Sequence, residues 1–119
     1  MSQITTRAKG SIYENIALNH LEKAGLRLIG RNFNCKLGEI DIICKDKQTI
    51  VFVEVRFRRS ITFGSALESV TPAKCLKLRK TALVYQKQYG LINTPSRFDV
   101  IGITLKNNQT HIEWVQNAL

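Results

Sequence analysis

Apolar positions recur at helical spacing in two stretches of the chain and at strand spacing in five. The first helical stretch opens at Thr6, a residue type suited to an N-cap, and runs to about Ala24. Gly10 weakens its first turn, so its firm part is expected from Ser11. Gly25 has the freedom to end a helix in the left-handed conformation. Leu26 to Asn34 reads as a strand, irregular at Gly30, and is followed by strands at Leu37–Lys45 and Ile50–Arg58. The latter two flank the polar segment Asp46-Lys47-Gln48-Thr49, which has the length of a hairpin loop. Thr71-Pro72 supplies an N-cap and a proline at the first helical position, opening a second helix to about Tyr89. Cys75, Leu78, Ala82, Tyr85 and Tyr89 form its expected core stripe, and Gly90 ends it. Beyond Pro95 come strands at Arg97–Leu105 and His111–Val115, joined by a turn at Asn107-Asn108.

The order is therefore α-β-β-β-α-β-β. The second helix is long enough to cross over and make the third and fourth strands parallel. The expected class is α/β, a mixed five-stranded sheet flanked by helices. With 119 residues and no repeat, linker or low-complexity stretch, the whole chain, residues 1–119, reads as one domain. Ser60 to Ser69, with Gly64 inside it, has the size of an active-site loop.

Hairpin register gives the sharpest chemical signal. If the loop is the four residues 46–49, Lys45 faces Ile50, Asp41 falls opposite Glu54, and Glu39 opposite Arg56. Directly opposed residues have β-carbons about 4.5–5.5 Å apart. Glu54 and Arg56 then share a face with Ile50 and Phe52, while Val51, Val53, Val55 and Phe57 take the other. Two such close carboxylates repel and lose solvation. A divalent cation offsets that cost, since Mg²⁺ takes oxygen ligands from one or two carboxylates plus phosphate. The alternative is a solvated sheet face bridged by lysine or arginine, and a register slip of one residue would separate the pair. Glu14 adds a third acid. Its helical direction lies between those of Ala17, Leu18 and Leu21, so it either joins the same centre or snorkels to water at the boundary.

Other candidates carry less. His20 lies in the apolar arc of the first helix and reads as a structural histidine. Asp99 either supports the site or simply pairs with Arg97 nearby. Trp114 reads as core or rim. Cys35, Cys44 and Cys75 are odd in number and lack C-x-x-C spacing, so reduced thiols are expected, with neither a disulfide framework nor zinc.

Charge changes the picture by suggesting a partner. The chain carries 18 basic and 9 acidic residues, a net charge of +9. No acid occurs between Ser69 and Phe98, where Lys74, Lys77, Arg79, Lys80, Lys87 and Arg97 fall, and Arg56, Arg58 and Arg59 form a second cluster. A polyanion such as nucleic acid fits that distribution better than solubility alone. No apolar run approaches the roughly 18 residues of a membrane span, and Met1 to Lys9 shows no signal-peptide core, so no membrane partner and a cytoplasmic location are expected.

Four segments taken together, Gly38-Glu39-Ile40-Asp41-Ile42-Ile43, Val51-Phe52-Val53-Glu54-Val55-Arg56, Lys74 and Arg97-Phe98-Asp99-Val100, resemble the YraN-like family of predicted endonucleases, from about Gly10 to Asn117-Ala118. That family is similar to the PD-(D/E)XK nuclease superfamily, and in outline to archaeal-type Holliday junction resolvases. The resemblance implies a restriction-endonuclease-like core and metal-dependent hydrolysis of phosphodiesters in DNA, with branched or otherwise structured DNA as substrate. By it, Glu14 matches the helix-one acid, Asp41 the Asp of the motif, and Glu54-Val55-Arg56 the (D/E)-X-K element. Glu14, Asp41 and Glu54 would hold Mg²⁺ or Mn²⁺, and Arg58, Arg59, Lys77 and Lys80 would grip phosphates. Resolvase-like relatives also imply a homodimer.

The sequence departs from the superfamily at Arg56, where lysine is usual. Arginine stays protonated and cannot serve as a base. Lys74 either supplies the missing ammonium or contacts the DNA backbone. A non-catalytic nucleic-acid-binding module of the same fold is thus the second reading, and an interaction protein with a structural acid cluster the third.

Overall fold

The computed structural model describes residues 6–58, 68 and 70–119; for 6–10 it describes the backbone alone. Seven elements follow the expected order: α1 (Thr6–Lys23), β1 (Arg27–Cys35), β2 (Gly38–Asp46), β3 (Thr49–Arg58), α2 (Pro72–Gln88), β4 (Ser96–Lys106) and β5 (Gln109–Val115). The expected loop between Ser60 and Ser69 lies, apart from residue 68, outside the described residues.

The helix ends obey local rules. Thr71 is extended and its Oγ1 accepts from Lys74 N at 3.1 Å, capping α2 ahead of Pro72. Thr6, expected as the cap of α1, is already helical. Both helices finish in the same motif. Leu26 N donates to Leu21 O and Gly25 N to Glu22 O, while Leu91 N donates to Gln86 O and Gly90 N to Lys87 O. Gly25 (φ 97°) and Gly90 (φ 68°) occupy the left-handed position that the motif requires.

The described sheet has the order β1-β2-β3-β4-β5. β3 and β4 are parallel, across the α2 crossover, and the other neighbours are antiparallel. The β2–β3 hairpin is tighter than the four-residue loop expected. Asp46 pairs with Thr49 across Lys47-Gln48, with Lys45 opposite Ile50 as read from the sequence. Asn107 and Asn108 both have positive φ, 51° and 61°, the two-residue turn that matches strand twist. Asparagine tolerates that geometry, so β5 starts at Gln109, earlier than the expected His111.

One helix covers each face. Ala17, Leu18 and Leu21 of α1 pack on Ile42, Cys44, Val51, Val53, Ile101 and Ile103. Leu78, Ala82 and Tyr85 of α2 pack on Ile40, Ile43, Ile50, Phe52 and Val100. Phe57 keeps to the α1 side and stacks on Tyr13 with ring centroids 4.0 Å apart. Tyr89, expected in the α2 core stripe, is instead 56% exposed, because it sits at the helix C-cap and leans on Tyr85. His20 packs edge-on against Trp114, the structural role expected of it. Cys35, Cys44 and Cys75 are free thiols. Burial pushes Cys44 up to about 12, which leaves it inert. Among the described residues no helix is long and apolar enough to cross a membrane.

Candidate metal centre

Pairing of β2 with β3 runs from Asp46–Thr49 to Ile42–Val53 and stops there. The expected backbone pairing of Asp41 with Glu54 and of Glu39 with Arg56 is therefore not formed. Val55 N would otherwise look for a β2 carbonyl; it donates instead to Asp41 Oδ2 at 2.8 Å. A side chain thus replaces the main chain as acceptor, and the two strands part at Asp41. Side-chain alternation slips at the same place. Ile40 belongs to the α2-side core and Ile42 to the α1-side core, although strict alternation would put them together.

Within this fork the Asp41 and Glu54 carboxyls still meet, joined by a hydrogen bond. Glu54 is only 7% exposed. Burial first, and then the charge of Asp41, pushes its carboxyl up to about 8. Asp41 is also raised by burial, against the Val55 N–H, the Glu54 hydrogen bond, Lys74 and Arg56, all of which lower it. Both shifts run the same way, so the pair holds a proton more tightly than two free carboxyls would. Lys74 Nζ stands 3.8 Å from Glu54 Oε1. Its backbone is fixed by the Thr71 cap, and helical side chains lean toward the N-terminus, which aims it at the fork.

Glu14 approaches from α1. It is raised by burial and then by the charge of Asp41, and is held by Arg31, whose NH2 lies 3.5 Å from Oε1. Arg31 also donates through NH1 to Asn15 Oδ1 at 2.8 Å. The acids are thus brought to one region, but the described residues contain no group of three ligand side chains closed around one point. Asp41 and Glu54 touch, and Glu14 stands off on Arg31. Sequence reasoning missed Arg31, because its role depends on how α1 lies across β1, which no local spacing records.

The remaining candidates divide. Lys77 and Lys80 are exposed on α2, and Arg58 is half-buried at the end of β3. Arg59 lies outside the described residues. Arg56 adds positive potential to both acids. Asp99 serves a different purpose from the fork. Its carboxylate accepts from Arg97 Nε (3.1 Å), Trp114 Nε1 (2.9 Å) and Asn117 N (2.9 Å), so the simple pairing with Arg97 holds and is the first of several bonds.

Two close carboxyls, one buried and one half-buried, both raised by burial against the charges of Lys74 and Arg56, are a donor set that a divalent cation would deprotonate and satisfy. The same arrangement makes stability depend on pH. The Glu54 carboxyl holds its proton more tightly when folded than when unfolded, where its ordinary value is 4.5. The stabilisation is fully present below about pH 4.5 and is lost as pH rises through about 8. Chemical denaturation in metal-free buffer should show about 4 kcal/mol lost between pH 5 and 9, and Glu54→Gln should flatten that slope. An unchanged slope in the variant would mean that Glu54 is not the group responsible.

Fold and site define a mixed α/β protein with a close acid pair where two central strands part. The chain belongs to the UPF0102 family. The model described as "Uncharacterised protein family UPF0102" matches residues 13–103. A UPF0102 protein of Nitrosococcus oceani is 45% identical over 119 residues, covering 99% of this chain and 96% of its own. One from Vibrio vulnificus is 46% identical over 121 residues, covering 100% and 98%. One from Stutzerimonas stutzeri is 42% identical over 114 residues, covering 95% of each. The YraN-like resemblance is thereby shown at the level of the family.

Proposed function

We propose that this protein is a metal-dependent endonuclease of branched or otherwise structured DNA, a single PD-(D/E)XK nuclease-like domain acting in the cytoplasm. The observation that carries the reading is the close pairing of half-buried Asp41 with buried Glu54, beside the Lys74 ammonium 3.8 Å from Glu54. Asp41 and Glu54 would hold Mg²⁺ or Mn²⁺, with Glu14 as a further ligand once released from Arg31. Bound there, the cation would polarise the scissile phosphate and lower the pKa of an attacking water.

The protein's own groups have separate tasks. Val55 N–H fixes the orientation of the Asp41 carboxylate. Glu54 would release its proton to solvent in order to hold the cation. Lys74, 3.8 Å from Glu54, would set its ammonium against the charge that builds on the phosphate. Arg56 cannot act as a base but binds phosphate, so it holds the substrate. The short reach from Lys74 to Glu54 supports the view that the lysine has moved from strand to helix. Arg58, Arg59, Lys77 and Lys80 would contact the DNA backbone on either side.

Incubation of purified protein with four-way junction, flap and linear duplex DNA in Mg²⁺ or Mn²⁺ tests this directly. Cutting of the branched substrates is expected, and its absence with both metals would overturn the proposal. Lys74→Ala should slow that cutting about tenfold or more, as loss of a charged transition-state contact does. Arg56 favours the second reading, a binding module without catalysis. That reading calls for DNA binding that weakens steeply with salt and no cutting under any metal.

A further inference from the structure

β1 lies at the edge of the described sheet, so its outer backbone groups are not spent on a neighbouring strand. Between this edge and the C-terminal turn of α2 lies an open cleft of about 440 Å³, within the range of small-molecule sites. Gly30 forms part of its floor, where a side chain would begin 3.8 Å from the Tyr85 hydroxyl. Tyr89 stands over the cleft, 56% exposed, with its ring centroid 4.6 Å from that of Tyr85. Asn32, Asn34 and Gln88 are exposed amides around the mouth. Arg31 lines it too, and carries a buried Nε without a hydrogen-bond partner.

We propose that this cleft takes an unpaired nucleobase of the nucleic acid, stacked on Tyr89 and read along its hydrogen-bonding edge by the amides and the free backbone of β1. The proposal rests on the nucleic-acid reading above and narrows it to substrates with unpaired nucleotides beside the cleavage point. Three observations favour it. An aromatic face with amide donors and acceptors is the chemistry by which unpaired bases are held. The chain's net charge of +9 supplies the attraction for the attached phosphates. The cleft also borders one of the acids, since Arg31 both lines it and pairs with Glu14 at 3.5 Å. A strand-like peptide fits less well. The ladder of β1 shifts between Leu28 and Gly30, and Asn32 has φ 53°, so this edge cannot template a regular added strand.

The test is binding without cutting. Fluorescent single-stranded 15-mers and the matching duplex are titrated into the full-length protein in EDTA. Tyr89→Ala should weaken single-strand binding about tenfold and duplex binding less than twofold, while Tyr89→Phe, which keeps the ring, restores it. An oligonucleotide with one 5-iodouracil should crosslink on irradiation to the α2 peptide that holds Tyr89. Gln88→Ala, at an exposed site, should lower affinity in the same single-strand-specific way. Equal losses on both DNAs would reduce the cleft to a phosphate contact and overturn the proposal, as would no loss, or no binding of single strands by the wild type. Tyr89-dependent binding of an unstructured peptide in place of DNA would assign the cleft to strand addition and overturn it likewise. The two readings fail separately. Base-dependent binding without metal-dependent cutting keeps the cleft and removes the nuclease; cutting that ignores Tyr89 does the reverse.

Discussion

Asp41→Asn and Glu54→Gln are each expected to lower metal-dependent DNA cleavage by at least about 10²-fold while making the protein more resistant to unfolding at pH 8. Both substitutions keep shape and hydrogen bonds. Asparagine at position 41 can still accept from the Val55 N–H, which Asp41 Oδ2 meets at 2.8 Å. Glutamine at 54 can still donate to Asp41, as the protonated Glu54 does. What each removes is the second negative charge of a close, largely desolvated pair. That charge is the hold on a divalent cation, and without the cation it is a cost, since burial and Asp41 push Glu54 up to about 8. Loss of cutting with a gain in stability separates a functional site from a structural one. Cutting that persists in either variant would remove that residue from the site. Loss of both activity and stability would show that the pair holds the fold together, as the interaction-protein reading requires.

Asp99→Ala should give the largest loss of stability, about 3–5 kcal/mol in urea unfolding. The Asp99 side chain is 0% exposed in its pairing with Arg97. It gathers donors from three places: Arg97 on its own strand, the Trp114 indole of β5 and the Asn117 backbone beyond. Arg97 extends the network through NH1 to Asp46 Oδ2 at 3.1 Å, at the β2–β3 turn. Truncation leaves an indole N–H and a main-chain N–H facing a void, and takes from Arg97 one of its two anions. Asp99→Asn should cost less, because one oxygen remains to accept. A loss below about 1 kcal/mol for alanine would show that water replaces the carboxylate, and would deny Asp99 this role.

Much of the architecture was legible because it is local. Thr71-Pro72, Gly25 and Gly90 mark helix ends by backbone chemistry that needs no tertiary context. The β2–β3 loop is two residues shorter than expected, yet the register held, since both readings put Lys45 opposite Ile50. That is why Asp41 and Glu54 were found as neighbours. The fork was not legible. Extending the ladder placed Glu39 opposite Arg56, whereas the strands separate once Asp41 takes the Val55 N–H for itself. Strand periodicity has no signal for a carboxylate that substitutes for a carbonyl. The grip of Arg31 on Glu14 and the exposure of Tyr89 were equally hidden, since each depends on packing between elements distant in sequence.

The parallel contact of β3 with β4 also bears on how the chain acquires its shape. The β1–β2–β3 meander and the β4–β5 hairpin need only short closures, but joining them brings Ile50 to Ser96. That long closure costs chain entropy before any contact rewards it, so docking of the two ribbons should set the folding rate, with each ribbon forming faster by itself. Both acids of the fork lie on the meander. Their like charges would meet before the Lys74 ammonium arrives with the crossover, so mildly acidic solution, which keeps the proton between them, should speed the collapse.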